Sequence, residues 1–233
     1  MRVLAVDTSS NVATAAVMED DLLLGEYILN HKKTHSQKIM PMIEQLLGDL
    51  ELVPGDIDIF AAAVGPGSFT GLRIGVATVK ALAHATGGRV VSVGTLEALA
   101  YNVPCEGRVI VPVLDARRNN IFTAAYTVDD GFKEIISPKG IIIEECVDEC
   151  EGFPETIFVG DGALLHRDYI VRRLGARAVF PHGAVINSRA SSVAAIAMER
   201  AKRDETQSYL EMKPCYIKKS QAEKELEEKE KQN

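Results

Sequence analysis

Two stretches of this chain read as the same beginning, and that repetition constrains the fold more than any other feature. VLAVDTSSNVATAAV, from Val3, and VPVLDARRNNIFTAAY, from Val111, each place an aspartate at the end of an apolar strand. A polar turn follows in both, then a strand containing Thr-Ala-Ala. A buried strand needs sheet neighbours and a layer against each face, so two such starts predict two lobes, each built on its own sheet. The 233 residues are enough to bury a core of that size.

Arg2 to Val6, Asn11 to Met18 and Leu22 to Asn30 read as an antiparallel meander. Ile39, Ile43, Leu46, Leu47 and Leu50 then recur at helical spacing over Ser36 to Leu50, with Pro41 expected in the first turn. A buried strand over Ile57 to Val64, a helix ending near Ala85 and a strand over Arg89 to Val93 complete a β-β-β-α-β-α-β order. Thr95 is expected to cap a helix through Ala100. After the second start, Thr156 to Val159 leads through Gly160-Asp161-Gly162 into a helix reaching about Leu174, and a last helix spans roughly Ser191 to Arg203. Duplicated α/β halves with an aspartate after each first strand have the layout of the actin, Hsp70 and sugar-kinase ATPases, a two-lobed RNase H-like fold. The expected segmentation is a first lobe over 1–105, a second over 106–220, and a charged tail over 221–233, frayed or disordered.

The stretch GPGSFTGLRIG, Gly65 to Gly75, follows the buried strand and opens a helix that Ser68 or Thr70 can cap. A glycine turn before a helix presents free amides that suit an anion. It lacks the Gly-Lys-Ser/Thr ending of a P-loop, its glycine spacing misses the dinucleotide pattern, and Phe69 stands where a nucleophile elbow needs serine. Gly71 and Gly75 lie one turn apart, with Thr78 and Leu82 continuing the stripe. Such a face allows close approach either by a partner helix or by the chain's own sheet.

A net charge of -7 argues against a strongly basic nucleic-acid surface. The short basic pairs Arg117-Arg118, Arg172-Arg173 and Lys218-Lys219 read first as solvated surface. No leader-like or membrane-length apolar run occurs, and the four cysteines form no CxxC pair, so a cytoplasmic protein with reduced thiols and no membrane partner is expected.

VDTSS, GPGSFTGLRIG, TLEALA, VLDARRN, VGDGA and the closing PCYIKKSQAE, in this order over nearly the whole chain, resemble the TsaB family. That family is the smaller actin-like subunit of the bacterial tRNA threonylcarbamoyladenosine machinery. The resemblance implies a non-catalytic partner of a paralogous, TsaD-like transferase subunit, helped by a small TsaE-like P-loop ATPase. Together they transfer a threonylcarbamoyl group to the adenosine beside the anticodon in tRNAs that read codons beginning with A. It implies contact with tRNA through the complex, ATP used by the assembled complex, no cofactor required by this chain, and a homodimer as an option when the partner is absent.

The resemblance also implies that the paralogue's metal is held by an HxxxH pair after its own GPG turn; the equivalent Val90 to Ala100 here contains no histidine, so no metal is expected. His31 and His35 have the spacing but fall at a strand-to-helix junction with no carboxylate beside them, and read as polar loop residues. A degenerate nucleotide cleft is expected from Asp7, Thr8, Ser9, Asp115, Gly160 and Asp161, with no catalytic residue. Arg118 is placed to neutralise Asp115 or to contact a partner. The partner interface is assigned to Ile39, Ile43, Gly71, Gly75, Thr78 and Leu82. The alternatives are a stand-alone enzyme, either a glycoprotease-like peptidase or an actin-fold kinase or ATPase, and a module touching tRNA through Lys213, Lys218 and Lys219.

Overall fold

The computed structural model describes residues 1–30, 35–103, 105–129 and 131–217. His31, Lys218, Lys219 and the charged tail lie outside them. In the first half, β1 (Arg2–Asp7), β2 (Val12–Glu19) and β3 (Leu22–Asn30) form the antiparallel meander, followed by α1 (His35–Asp49), β4 (Ile59–Gly65), α2 (Phe69–Thr86) and β5 (Arg89–Gly94). Because β4 runs parallel to β1 and β5 parallel to β4, the sheet order is β3-β2-β1-β4-β5.

α3 (Thr95–Tyr101) leads to the second half. There β6 (Val109–Asp115), β7 (Asn120–Thr127), β8 (Lys133–Ile142), α4 (Ile143–Cys150), β9 (Thr156–Val159), α5 (Asp161–Leu165), α6 (Arg167–Leu174) and β10 (Ala178–Val179) precede α7 (Ala190–Lys202). The second sheet is ordered β10-β9-β6-β7-β8, strand for strand the arrangement of the first. Two mixed five-stranded sheets of one topology are the duplication that the two starts predict.

Period-two alternation sorts β1 between two layers. Leu4 and Val6 join Ile39, Ile43, Val76 and Val79 of α1 and α2, whereas Val3 and Ala5 meet Val193, Ala194 and Ala197 of α7. α7, which the sequence segmentation assigns to the second lobe, therefore covers the first sheet. Its entry is fixed by Glu26 of β3, whose carboxylate accepts from Ser191 N and Oγ at 2.9 Å and pairs with the Arg189 guanidinium. α3 is shared: Ala98 packs toward the first sheet, while Leu96 and Leu99 pack under the second with Ile110 and Leu114.

Three local expectations change. Pro41 lies inside α1 rather than in the first turn, costing the bond that the Gln37 carbonyl would otherwise accept. Thr95 is the first helical residue of α3 and Gly94 its cap; the Glu97 carboxylate accepts from Gly94 N at 3.3 Å. The helix after Gly160 breaks at His166 into α5 and α6. Beyond α7 the chain returns to the first lobe. Val90 and Gln207 exchange backbone bonds of 3.0 and 2.9 Å at the β5 edge, Met212 is buried, and Cys215 N donates to Val64 O at 2.6 Å. No helix among the described residues is long and apolar enough to cross a membrane.

Candidate functional site

Parallel pairing of β1 and β4 brings their carboxyl ends together, so the DTSS turn meets the Gly65–Gly67 turn. Ser9 O accepts from Ser68 N at 2.6 Å, and Thr8 Oγ1 donates to Gly71 O at 2.7 Å. The glycines exist for this contact: a Cβ on Gly67 would overlap the Ser9 carbonyl oxygen, one on Gly71 the Thr8 carbonyl oxygen, and one on Gly75 the Thr8 hydroxyl. Ser68 caps α2, its Oγ accepting from Gly71 N at 3.2 Å. Two of the amides that open α2 are thus taken by the chain itself, Ser68 N by Ser9 and Gly71 N by the Ser68 cap.

Asp7 is buried beneath this junction, 1% exposed. Its Oδ1 accepts from Ser9 N at 2.7 Å and from Ser9 Oγ at 2.6 Å. Burial pushes its pKa above the ordinary aspartate value, and the Ser9 bonds only partly offset that. Ser188 lies close enough to pull in the same direction as Ser9, yet Asp7 Oδ2 and Ser188 Oγ are both buried without a partner in hydrogen-bonding geometry. His35, at the start of α1, bonds the Ser10 carbonyl through Nε2 at 2.8 Å.

The second lobe repeats the closure. Asp115 N donates to Asp161 Oδ1 at 3.0 Å, and Gly160 N donates to Ile186 O at 2.7 Å. Gly160, at φ 105°, has no room for a Cβ against the Val113 carbonyl, and a Cβ on Gly162 would lie 2.9 Å from the Leu114 backbone. Burial raises the Asp161 pKa, with the Asp115 charge adding to it. Asp115 Oδ1 accepts from Arg117 N at 2.7 Å; no ion pair joins it to Arg118. The structure therefore assembles Asp7, Thr8 and Ser9 in one junction and Asp115, Gly160 and Asp161 in another. The segment from Ile186 to Ser188 touches both.

The residues assigned to a partner interface turn inward instead. Ile39 and Ile43 are each 1% exposed and belong to the first-lobe core. Gly71 and Gly75 face Thr8, and Thr78 is buried, so the small-residue stripe serves α2 packing on its own sheet. Ile43 and Leu82 reach an outer feature, a groove of about 490 Å³ lined also by Met40, Pro41, Glu44, Leu47 and Leu52. The outward stripes of the same helices are Met40, Pro41, Glu44 and Gly48 on α1 and Thr70, Arg73, Ala77 and Ala81 on α2. Arg73 is held there, its guanidinium over the Phe69 ring and its Nε donating to Tyr216 Oη at 3.1 Å. The outer stripe of α2 lies one residue out of step with the small-residue stripe, so helical spacing marks both and does not say which faces outward.

Among the described residues no group of His, Cys, Asp and Glu is arranged to hold a metal ion. Cys146 and Cys150 are buried thiols on α4, with Cys146 beside Thr123 Oγ1.

A family model described as TsaD, tRNA N6-adenosine threonylcarbamoyltransferase, matches residues 23–224. The Bacillus subtilis tRNA threonylcarbamoyladenosine biosynthesis protein TsaB is 33% identical over 88% of this chain and 90% of that one. A Pseudomonas aeruginosa protein with similarity to peptidase YeaZ superposes with a TM-score of 0.79 at 24% identity, covering 93% of this chain and 99% of that structure. The Clostridium difficile activator of 2-hydroxyisocaproyl-CoA dehydratase, solved with bound ADPNP, shares the fold at a TM-score of 0.52 and 10% identity, over 88% and 97% of the two chains.

Proposed function

The chain belongs to the TsaB family of tRNA threonylcarbamoyladenosine biosynthesis proteins, and from that premise we propose that it serves as a non-catalytic accessory subunit. Its partner is a paralogous transferase subunit, and ATP is used elsewhere in the assembly, by a small P-loop ATPase. tRNA is met through the complex.

The observation that carries this reading is the bond from Ser68 N to Ser9 O, with Thr8 seated against Gly71. A phosphate or hydrated cation at the β1 turn would need the polar groups of that turn and the Asp7 carboxylate free to face it. Here Thr8 Oγ1 and the Ser9 carbonyl are taken up by α2, and Asp7 is buried with its Oδ1 accepting from Ser9 rather than facing a hydrated cation. Ser9 Oγ, the hydroxyl held on a carboxylate at this junction, is 2% exposed and out of a substrate's reach, which weighs against a peptidase.

The partner face follows from what the helices leave open. Met40 is 45% exposed beside the α1–α2 groove, and Ala77 and Ala81 give α2 a flat outer edge where a second helix pair can approach closely. Reconstitution tests the role: transferase subunit, small ATPase, the enzyme that forms threonylcarbamoyl-adenylate, ATP, threonine, bicarbonate and tRNA are combined with and without this chain. Modified adenosine is expected only when it is present. Equal yield without it overturns the reading.

A further inference from the structure

The turn between β6 and β7 is the most conformationally costly feature of the described surface. Arg117, Arg118 and Asn119 follow one another at φ 65°, 52° and 63°. Left-handed backbone is unfavourable for any side chain with a Cβ, and unusual for arginine. The other non-glycine residues with positive φ, Asp20, Glu51 and Asp204, are single residues at turns and helix ends.

The run is held by a dense set of bonds. Ala116 N donates to Asn120 O at 2.9 Å, and Asn120 N to Arg117 O at 3.1 Å. The Asn120 amide also donates to the Arg117 and Arg118 carbonyls, at 3.3 and 3.0 Å. Asn119 donates to both Glu144 oxygens at 2.8 and 2.9 Å, and its carbonyl accepts from Ile143 N. Asn119 and Asn120 bond Glu144 and the turn's own carbonyls through their side-chain amides, whereas the two guanidinium groups make no such bond.

Among the described residues those two have no internal partner. Among the described residues, Arg117, Arg118 and Arg172 are the arginines whose guanidinium groups make no hydrogen bond, ion pair or ring contact. The carboxylates of Asp115, Asp161 and Glu144 accept from the neutral donors Arg117 N, Asp115 N and Asn119 Nδ2, and form no ion pair with either guanidinium. In a chain of net charge -7, two adjacent cations that form no ion pair among the described residues, on a strained turn, are not explained by internal packing.

We propose that Arg117 and Arg118 form a phosphodiester-binding clip for RNA, each guanidinium engaging a backbone phosphate. Arginine forks match phosphate oxygens bidentately, and the turn fixes the two backbone positions from which they reach. RNA is favoured over an acidic protein surface for two reasons. The clip sits on the second sheet, whereas the open helical face belongs to the first. The pathway reading, on which this inference rests, supplies a polyanion that the rest of the acidic chain does little to hold.

The test compares wild type, R117G/R118G and R117K/R118K in complex with the transferase subunit. Glycine relieves the left-handed strain while removing the charge, so stability and affinity are expected to move in opposite directions. The glycine variant should keep or raise its Tm and co-elute with the partner normally. Its affinity for a tRNA transcript should fall about tenfold or more, and the slope of log affinity against log salt should become shallower by roughly 1.4 to 1.8. The lysine variant should fall between. Unchanged tRNA affinity and slope in an intact complex would overturn the clip, as would loss of co-elution, which marks a protein contact. Loss of ATP binding with tRNA binding retained would also overturn it, assigning the arginines to a free nucleotide. If the wild-type chain does not co-elute at all, the accessory-subunit reading fails instead, and titrating the chains alone with the same tRNA still decides the arginines: an arginine-dependent affinity supports the clip, equal affinities overturn it.

Discussion

Ser9 and Ser68 are joined across the first lobe, the carbonyl oxygen of one accepting the backbone N–H of the other at 2.6 Å. That bond ties the end of the β1 turn to the first turn of α2, and the glycines around it are small because the chain itself occupies the space. A Gly71→Ala substitution puts a methyl group on the Thr8 carbonyl, which is backbone and cannot swing aside. The expected cost is about 2–4 kcal/mol, as for overpacking combined with a broken junction. Urea denaturation of the isolated chain reads it as a lowered midpoint; an unchanged midpoint would mean that the junction yields freely.

The outer stripe of the same helix behaves differently. Ala81 is exposed and Leu82, beside it, lines the groove. Ala81→Arg is expected to leave stability within about 0.5 kcal/mol, as for surface changes generally. It should nevertheless abolish co-elution with the transferase subunit. A variant that unfolds, or that still co-elutes at wild-type ratio, would refute this placement of the face.

Glu26 anchors α7 to the first sheet. Its carboxylate is 5% exposed and serves Arg189 together with the Ser191 amide and hydroxyl. Glu26→Ala leaves a buried-edge cation and an uncapped helix start, for which about 3 kcal/mol of destabilisation is expected. Hydrogen exchange checks the mechanism: amides of α7 should lose protection before those of the second sheet. Uniform loss would place the anchor elsewhere.

Asp7 gives a pH dependence of distinct sign. Its folded pKa is raised above the ordinary 3.8 by burial, so between the two values the folded state holds more protons than the unfolded one. The contribution of Asp7 to stability therefore falls as pH rises through that window and improves as pH drops. Asp7→Asn preserves an acceptor for Ser9 and removes the titration. The stability difference between wild type and D7N should accordingly shift in favour of wild type on acidification. A constant difference, or one moving the other way, would contradict a buried, raised carboxylate. Surface carboxylates such as Asp20 and Asp49, whose pKa values are lowered by the amino terminus and Tyr27, act oppositely in both proteins and cancel in the comparison.

The fold was legible where periodicity and repetition coincide. β1, β2 and β6 are marked by their apolar runs, and the recurrence of Asp, turn and Thr-Ala-Ala marks the second lobe without any structural input. β8 was not legible, because Ser137-Pro138 and Gly140 interrupt it; proline is tolerated there since β8 is an edge strand of its sheet. The return of α7 to the first sheet was hidden too. Its alanine-rich face suits any close contact, and what selects the first sheet is Glu26, far away in sequence.

The site was legible by residue type more than by role. Asp7 and Asp115 were found from their strand ends, but whether a cleft is open or filled depends on the backbone of Thr8 and Ser9, to which composition is blind. Gly71 and Gly75 carried the same ambiguity. A small-residue stripe permits close approach without naming what approaches, and here it is β1's own turn. The strain at Arg117 and Arg118 had no sequence signature at all, since their conformation is set by Asn120 and Glu144.

The central claim, that this subunit assists the transfer without performing it, is met most directly by one measurement. Threonylcarbamoyladenosine formation is quantified in the reconstituted system with the wild-type chain replaced by D7N/D115N, after co-elution with the transferase subunit has been verified. The account predicts a yield and rate equal to wild type within about twofold, because it gives neither carboxylate a part in the chemistry. A fall of about 100-fold or more in an intact complex, the size of loss that removal of an acid–base or metal-holding group causes, would contradict it.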